Sequence, residues 1–221
     1  MTEWEDAAIR GNTPAADWRP VLLRFSAMTA QQQVVVPYNP DWPNEFAMLG
    51  RRLRAALGSV AVRIDHIGST SVPGLAAKPI IDILISVSAL EPLDAYRMPI
   101  ERCGFIWKDN PDKIKRFFHQ RPGDRLVNIH VVRSGSFVEQ FHLLFRDYLR
   151  EHPQRAAEYA VLKYELAPFY AQQVVLQEQA QPAVRHPQPY TDRKGPFIWE
   201  TVRLAYEWSF DVGWNSGPSD A

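Results

Sequence analysis

The chain has a single cysteine, Cys103, among its 221 residues. An internal disulfide is therefore impossible, a cysteine-built metal centre is excluded, and nothing marks an oxidising compartment. Net charge is lacking too: 25 basic side chains meet 25 acidic ones. That balance argues against a protein that coats nucleic acid, although a local phosphate site is compatible with it. No apolar run approaches the ~20 residues of a membrane span. The first residues, MTEWEDAAIRGN, are acidic and polar and do not read as a secretory signal. A soluble, cytoplasmic protein without membrane contact is expected. What remains is an ordinary globular composition, 46% hydrophobic and 23% charged, long enough for one generous domain.

Residues 1–33 differ from the rest. They hold Gly11, Pro14 and Pro20 and end in Gln31-Gln32-Gln33, with one apolar stretch at Trp18, Val21, Leu22, Leu23 and Phe25. They read as a poorly ordered extension, or as an upstream start with Met28 as the initiator. Residues 209–221, rich in Gly, Pro, Ser and Asp, read as a flexible tail. The expected folded domain is 34–208. It carries 22 basic against 19 acidic residues, so the neutral total averages a mildly basic domain with acidic ends.

Within that domain Asp41 is placed to cap a helix, with Pro43 in its first turn. Phe46, Leu49, Leu53, Ala56 and Leu57 recur at helical spacing, and Gly58 ends the run. A strand is expected from Val60 to Ile67, with Val60, Val62 and Ile64 on one face. The run Pro79 to Val87 is apolar on both faces and predicts a central strand. A helix over 92–102 should end at Gly104. Short strands follow at Phe105–Lys108, Lys115–His119 and Leu126–Val132, the last two joined by the turn Pro122-Gly123-Asp124. Helices are expected over 137–151, over 154–180 with a break near Pro168, and over 196–210. The pattern predicts an α/β fold: a mixed β-sheet flanked by helices, with a helical C-terminal part.

Two features carry chemistry. Gly68-Ser69-Thr70-Ser71-Val72-Pro73-Gly74 is expected between a strand and a possible short helix. It fits neither the Walker spacing nor the dinucleotide fingerprint. Its glycines, hydroxyls and amides suit an anion, and equally a tight turn with a serine cap. The second feature is Asp82, set in Ile-Ile-Asp-Ile-Leu-Ile. Buried without a partner it would cost several kcal/mol, on the order of 2–7, so it either opens into a site or pairs with a buried base. Alternation puts it with Ile80 and Leu84, opposite Ile81, Ile83 and Ile85. His130, in Val-Asn-Ile-His-Val-Val, is either a structural histidine or a ligand facing Asp82 across the sheet.

The run HIGSTSVPGLAAKPIIDILI, His66 to Ile85, resembles the signature of the GrpB family, also called UPF0157. Its members occur alone or fused to bacterial dephospho-CoA kinases. Further stretches agree in order: VPYNPDWPNEF (36–46), NIHVV (128–132), FRDYLREHP (145–153), YAVLKYELA (159–167) and YTDRKGPFI (190–198). The resemblance implies a nucleotidyltransferase-like fold, in which a Gly-Ser turn holds nucleotide phosphates and an Asp-x-Asp/Glu pair holds metal. Carried over, Gly68 and Ser69 match the turn and Asp82 the first carboxylate. The second position is Leu84, and the third is held by His130 or Asn128. Asp82 and His130 are thus the implied catalytic and metal residues, with Mg²⁺ or Mn²⁺ as the implied cofactor. One carboxylate and an imidazole hold Mg²⁺ poorly and suit Zn, Fe or Ni better. Asp65 or Glu165 could replace the missing acid.

Around this centre, Thr70, Ser71, Lys78, Arg116, Lys163 and Lys194 are candidate ligands for a nucleotide or another phosphorylated small molecule. Residues 113–125 hold five basic side chains and one acid, a phosphate-binding run or a solvated face. Arg146 and Asp147 could pair to dock a helix. His66 either orients Asp82 or is structural. Trp42, Phe46, Tyr148, Tyr159, Tyr164, Phe169 and Phe197 read as core, and Cys103 as a small buried residue. No basic stripe interleaves with aromatics, so nucleic acid is not the expected partner. The expected function is binding of a nucleotide or phosphorylated ligand, with transfer of a nucleotidyl group possible. The alternative is a non-catalytic binding or folding-accessory module.

Overall fold

The computed structural model of the chain describes residues 35–109, 114–120, 126–179 and 190–221, with the backbone alone at 169–179 and 190–192. The N-terminal extension, the turn at Pro122-Gly123-Asp124, part of the basic run and the side chain of Phe169 lie outside what is described.

Five strands form one sheet in the order β1-β2-β5-β4-β3: β1 (Ala61–Ile67), β2 (Ile81–Val87), β3 (Phe105–Lys108), β4 (Lys115–Gln120) and β5 (Val127–Arg133). Only β2 and β5 run parallel, and the other neighbours are antiparallel. Helices α1 (Trp42–Leu57), α2 (Asp94–Arg102), α3 (Phe137–Glu151), α4 (Pro153–Gln179) and α5 (Tyr190–Val212) complete the chain. The expected mixed α/β architecture is what the chain adopts. No helix among the described residues is long and apolar enough to cross a membrane.

Strand alternation divides the sheet into two unlike faces. Ile81, Ile83 and Ile85 of β2, Ile129 and Val131 of β5 and Phe118 of β4 point to one side. There they meet Trp42, Phe46, Leu53 and Leu57 of α1 and Tyr96 and Ile100 of α2 in one continuous core. The opposite face carries Asp65, Ile67, Asp82, Leu84, Asn128 and His130, which the strand pairings set side by side. Helices α3, α4 and α5 pack together beside it through smaller clusters. Helix α3 begins with a reciprocal cap: Ser136 Oγ accepts from the Glu139 amide, and Glu139 accepts from the Gly135 amide.

Several expectations need correction. Asp41 stands at the start of α1 but its side chain makes no cap; Asn39 Oδ1 takes the Asp41 amide instead. In β1 the register shifts between Ala61 and Arg63. This bulge turns Val62 outward, half exposed, while Ala61 and Ile64 are buried. Val60, Val62 and Ile64 therefore do not share a face. Helix α4 is unbroken at Pro168; the ring lies on the exposed side, near exposed Tyr164, where water can solvate the carbonyl it frees. Tyr164 is accordingly not a core residue.

The C-terminal segment is the largest departure. Helix α5 runs to Val212, and the residues after it bind along the outer edge of β1 rather than fraying. Ser219 Oγ accepts from the Ile64 amide and donates to the Ile64 carbonyl; the Ala221 amide donates to that same carbonyl. Asp220 takes the His66 amide, and Arg146 donates to the His66 carbonyl. A sheet edge of this kind is ordinarily a template for unwanted pairing, and here side chains satisfy it.

Candidate functional site

The turn after β1 returns the chain directly over β2. Gly68 sits at φ +71°, and a Cβ there would lie 2.5 Å from Asp82 Oδ2. Only glycine permits this approach, in both backbone conformation and space. The Ser71 hydroxyl donates to the Gly68 carbonyl at 2.6 Å, and the Ser71 carbonyl accepts from Arg150 Nε at 3.0 Å. Thr70 donates to the Ile80 carbonyl and meets His66 Nε2 at 3.0 Å. Thr70 and Ser71 thus brace the turn. His66 stacks on Phe46 at 4.8 Å between ring centres, and burial lowers its pKa to about 4. It is a neutral structural histidine.

Asp82 keeps 22% of its side-chain exposure, so it is not sealed in the sheet. Asn128, directly opposite on β5, donates to Asp82 Oδ1 at 2.9 Å. His130 Nε2 lies 3.8 Å from the same oxygen. The expected meeting of Asp82 and His130 across the sheet is present. Leu84 shares their face but is fully buried with Ile67, Val132, Val138 and Leu143. Neither candidate replacement fills the gap: Asp65 is fully buried and paired with Arg63 at 2.9 Å, and Glu165 is exposed on α4.

Positive charge arrives from three separate segments. Lys194 of α5 acts on Lys78, in the loop before β2, and on Lys163 of α4; Asp82 acts in turn on Lys194. Burial, with repulsion from Lys194 second, lowers Lys78 and Lys163 to about 6. Burial lowers Lys194 to about 8 against the opposing pull of Asp82. Lys163 donates to the Ala76 carbonyl and lies 4.5 Å over the Tyr159 ring. Tyr159, read from sequence as core, is buried as expected but also hydrogen-bonds Ser69. Burial raises its pKa, so it is a neutral phenol. Its motif partner Lys163, four residues on, was the available signal. His142 was missed altogether: it stands on α3 with its ring centre 5.6 Å from that of His130, and burial holds its pKa well below normal.

Arg116 does not join this group. It alternates with Lys115 and Phe117 onto the other face, where it pairs with Glu91 at 2.9 Å. Arg146 pairs with Asp147, as expected, and also with Asp220. Among the described residues no three His, Cys, Asp or Glu side chains are grouped to hold an ion. Asp82 is one carboxylate that already accepts from the Asn128 amide and acts on the amine of Lys194, which does not fit the Mg²⁺ or Mn²⁺ expected.

Comparison with known proteins bears on the family and the fold. Residues 32–203 match the family model described as GrpB protein. UPF0157 protein YqkA of Bacillus subtilis is 40% identical over 66% of this chain and 43% of its own length. A dephospho-CoA kinase of Mycobacterium tuberculosis is 29% identical over 89% of this chain and 53% of the kinase. The chain thus spans about half the length of these relatives. The crystal structure of the conserved protein GrpB from Enterococcus faecalis superposes with a TM-score of 0.62 and 30% identity, covering 80% of this chain and 99% of that one.

Proposed function

The chain belongs to the GrpB family, and from that premise we propose that its cleft binds a nucleotide or another phosphorylated small molecule. One observation carries the proposal: Lys78, Lys163 and Lys194 come from three segments yet lie close enough for Lys194 to act on both of the others and on Asp82, with Lys163 held on the Ala76 carbonyl two residues before Lys78. Three amines against one carboxylate leave a local excess of positive charge when protonated. A phosphoryl dianion matches that excess, and the buried setting strengthens each contact. Binding is favoured over nucleotidyl transfer because Leu84 stands where the second carboxylate is needed. The broad match to dephospho-CoA kinases supports a second reading, an accessory unit that acts beside a kinase domain.

Pyrophosphate is the first probe, with unfolding followed from pH 6 to 9 in EDTA. Native Lys78 and Lys163 resist protonation down to about pH 6, whereas an unfolded lysine titrates near 10.4. Between those limits the unfolded chain holds protons that the native chain does not, so their contribution to stability rises with pH. Bound pyrophosphate restores the native charge, so the slope flattens and the rise in Tm is larger toward pH 6 than toward pH 9. Lys194→Met should raise the apo Tm and abolish the pyrophosphate shift. Parallel curves with no shift, or a shift that needs Mg²⁺, would overturn amine-based binding.

A further inference from the structure

The Asp82–His130 contact has an unusual length. At 3.8 Å it exceeds a direct N–H···O hydrogen bond, which closes by about 3.2 Å. One oxygen about 2.8 Å from each group can still touch both, at an acute angle of about 85° between them. The two sides of the gap are complementary. Asp82 Oδ1 already takes the Asn128 amide and keeps capacity for another donor. Among the described residues His130 Nδ1 is buried with no hydrogen-bond partner, so these surroundings assign the proton to Nε2, beside the carboxylate. An N–H donor and a carboxylate acceptor thus face one point. A hydroxyl can satisfy both at once, accepting from His130 and donating to Asp82. A phosphoryl oxygen cannot, because it would oppose the carboxylate.

The walls fix this geometry. The Phe117 ring meets His130 edge-on at 5.3 Å, and His142 lies beyond it at 5.6 Å between ring centres. Gly68 packs against Oδ2 of Asp82, while Oδ1 is the oxygen that faces Asn128 and His130. Lys194 ties the lysine group to the same carboxylate, since Asp82 acts on it.

We propose that the Asp82–His130 gap is a hydroxyl subsite, so that the ligand is a phosphorylated sugar compound of the ribonucleotide class, read by its sugar hydroxyl and anchored by its phosphates. The assignment rests on the anion-binding reading above, and the test separates the two. Three probes are titrated calorimetrically: ATP, 2′,3′-dideoxy-ATP and inorganic tripolyphosphate. ATP should bind at least tenfold more tightly than its dideoxy analogue, since a site built around a hydroxyl discriminates against its loss. His130→Phe should bring ATP to the dideoxy affinity and leave tripolyphosphate within about twofold, the carboxylate and lysines being intact. Lys194→Ala should weaken all three together. Equal binding of ATP and its dideoxy analogue, with tripolyphosphate still bound, would mean that the gap holds only water; the hydroxyl subsite falls and the anion site stands. Failure of all three probes to bind would overturn both. The wild-type comparison decides the subsite even where His130→Phe does not fold.

Discussion

The two faces of the sheet come from the same strands, yet they are held in different ways. One packs apolar side chains from α1, α2 and all five strands into a single core. The other breaks its apolar contacts into smaller clusters around Asp65, Asp82, Asn128, Lys163 and Arg146, all of them polar and most of them buried. Hydrophobic burial is additive and tolerant of direction, whereas buried polar groups must each find a partner in a fixed place. The first face therefore supplies stability, and the second holds a geometry at some cost to it. The depressed lysines show that cost directly: the fold keeps amines where protonating them is unfavourable.

The sharpest way to break this division is a deletion on the apolar face. Phe118 is fully buried and touches Trp107 edge-on at 5.2 Å. Phe118→Ala should cost about 3–5 kcal/mol, measured by urea unfolding, while the folded fraction keeps its pyrophosphate affinity. A matched loss of affinity would show that the faces are not separable.

The next effect belongs to the polar face. Arg146, 3% exposed, holds Asp147 at 2.7 Å, Asp220 at 2.9 Å and the His66 carbonyl at 3.2 Å. Arg146→Met would leave these acceptors short, with Asp65 still held by Arg63. A loss of about 2–3 kcal/mol is expected, below the usual range for a broken buried pair because Arg63 remains. Asp220→Asn should cost less and be non-additive with it, since the two share one hydrogen bond. Additive losses in the double-mutant cycle would place the C-terminal segment outside this network.

How far this contrast could be read in the sequence depends on what each feature requires. The apolar face was legible because alternation in Ile81, Ile83 and Ile85 carries it unaided. Asp82 was legible as an exception, a carboxylate inside a run where an unpaired charge is costly. His130 followed from its own strand run, and the parallel β2–β5 pairing brought the two together. The lysine convergence was legible only as separate candidates, because Lys78, Lys163 and Lys194 meet through helix packing that no local pattern encodes. The β1 bulge adds one residue without any Gly or Pro to mark it. The C-terminal segment was misread for a related reason: Ser219 and Asp220 dock by hydrogen bonds to backbone, and the same composition describes a solvated tail. Tyr159 combines both cases, since its ring obeys the core pattern and its hydroxyl reaches Ser69.

Arg116 gives the smallest effect and the finest control. It belongs to a basic run in sequence, as a phosphate ligand would, but alternation sends it away from Asp82 toward Glu91, which is largely exposed. An ion pair with an exposed partner contributes about 0–1 kcal/mol. Arg116→Ala should therefore shift urea unfolding by less than about 1 kcal/mol and leave pyrophosphate affinity unchanged, where Lys194→Met abolishes binding. The two substitutions each remove one positive charge, so net charge cannot explain a difference between them. Equal weakening by both would mean that long-range charge attracts the anion from either face, and the convergence on Asp82 would lose its meaning.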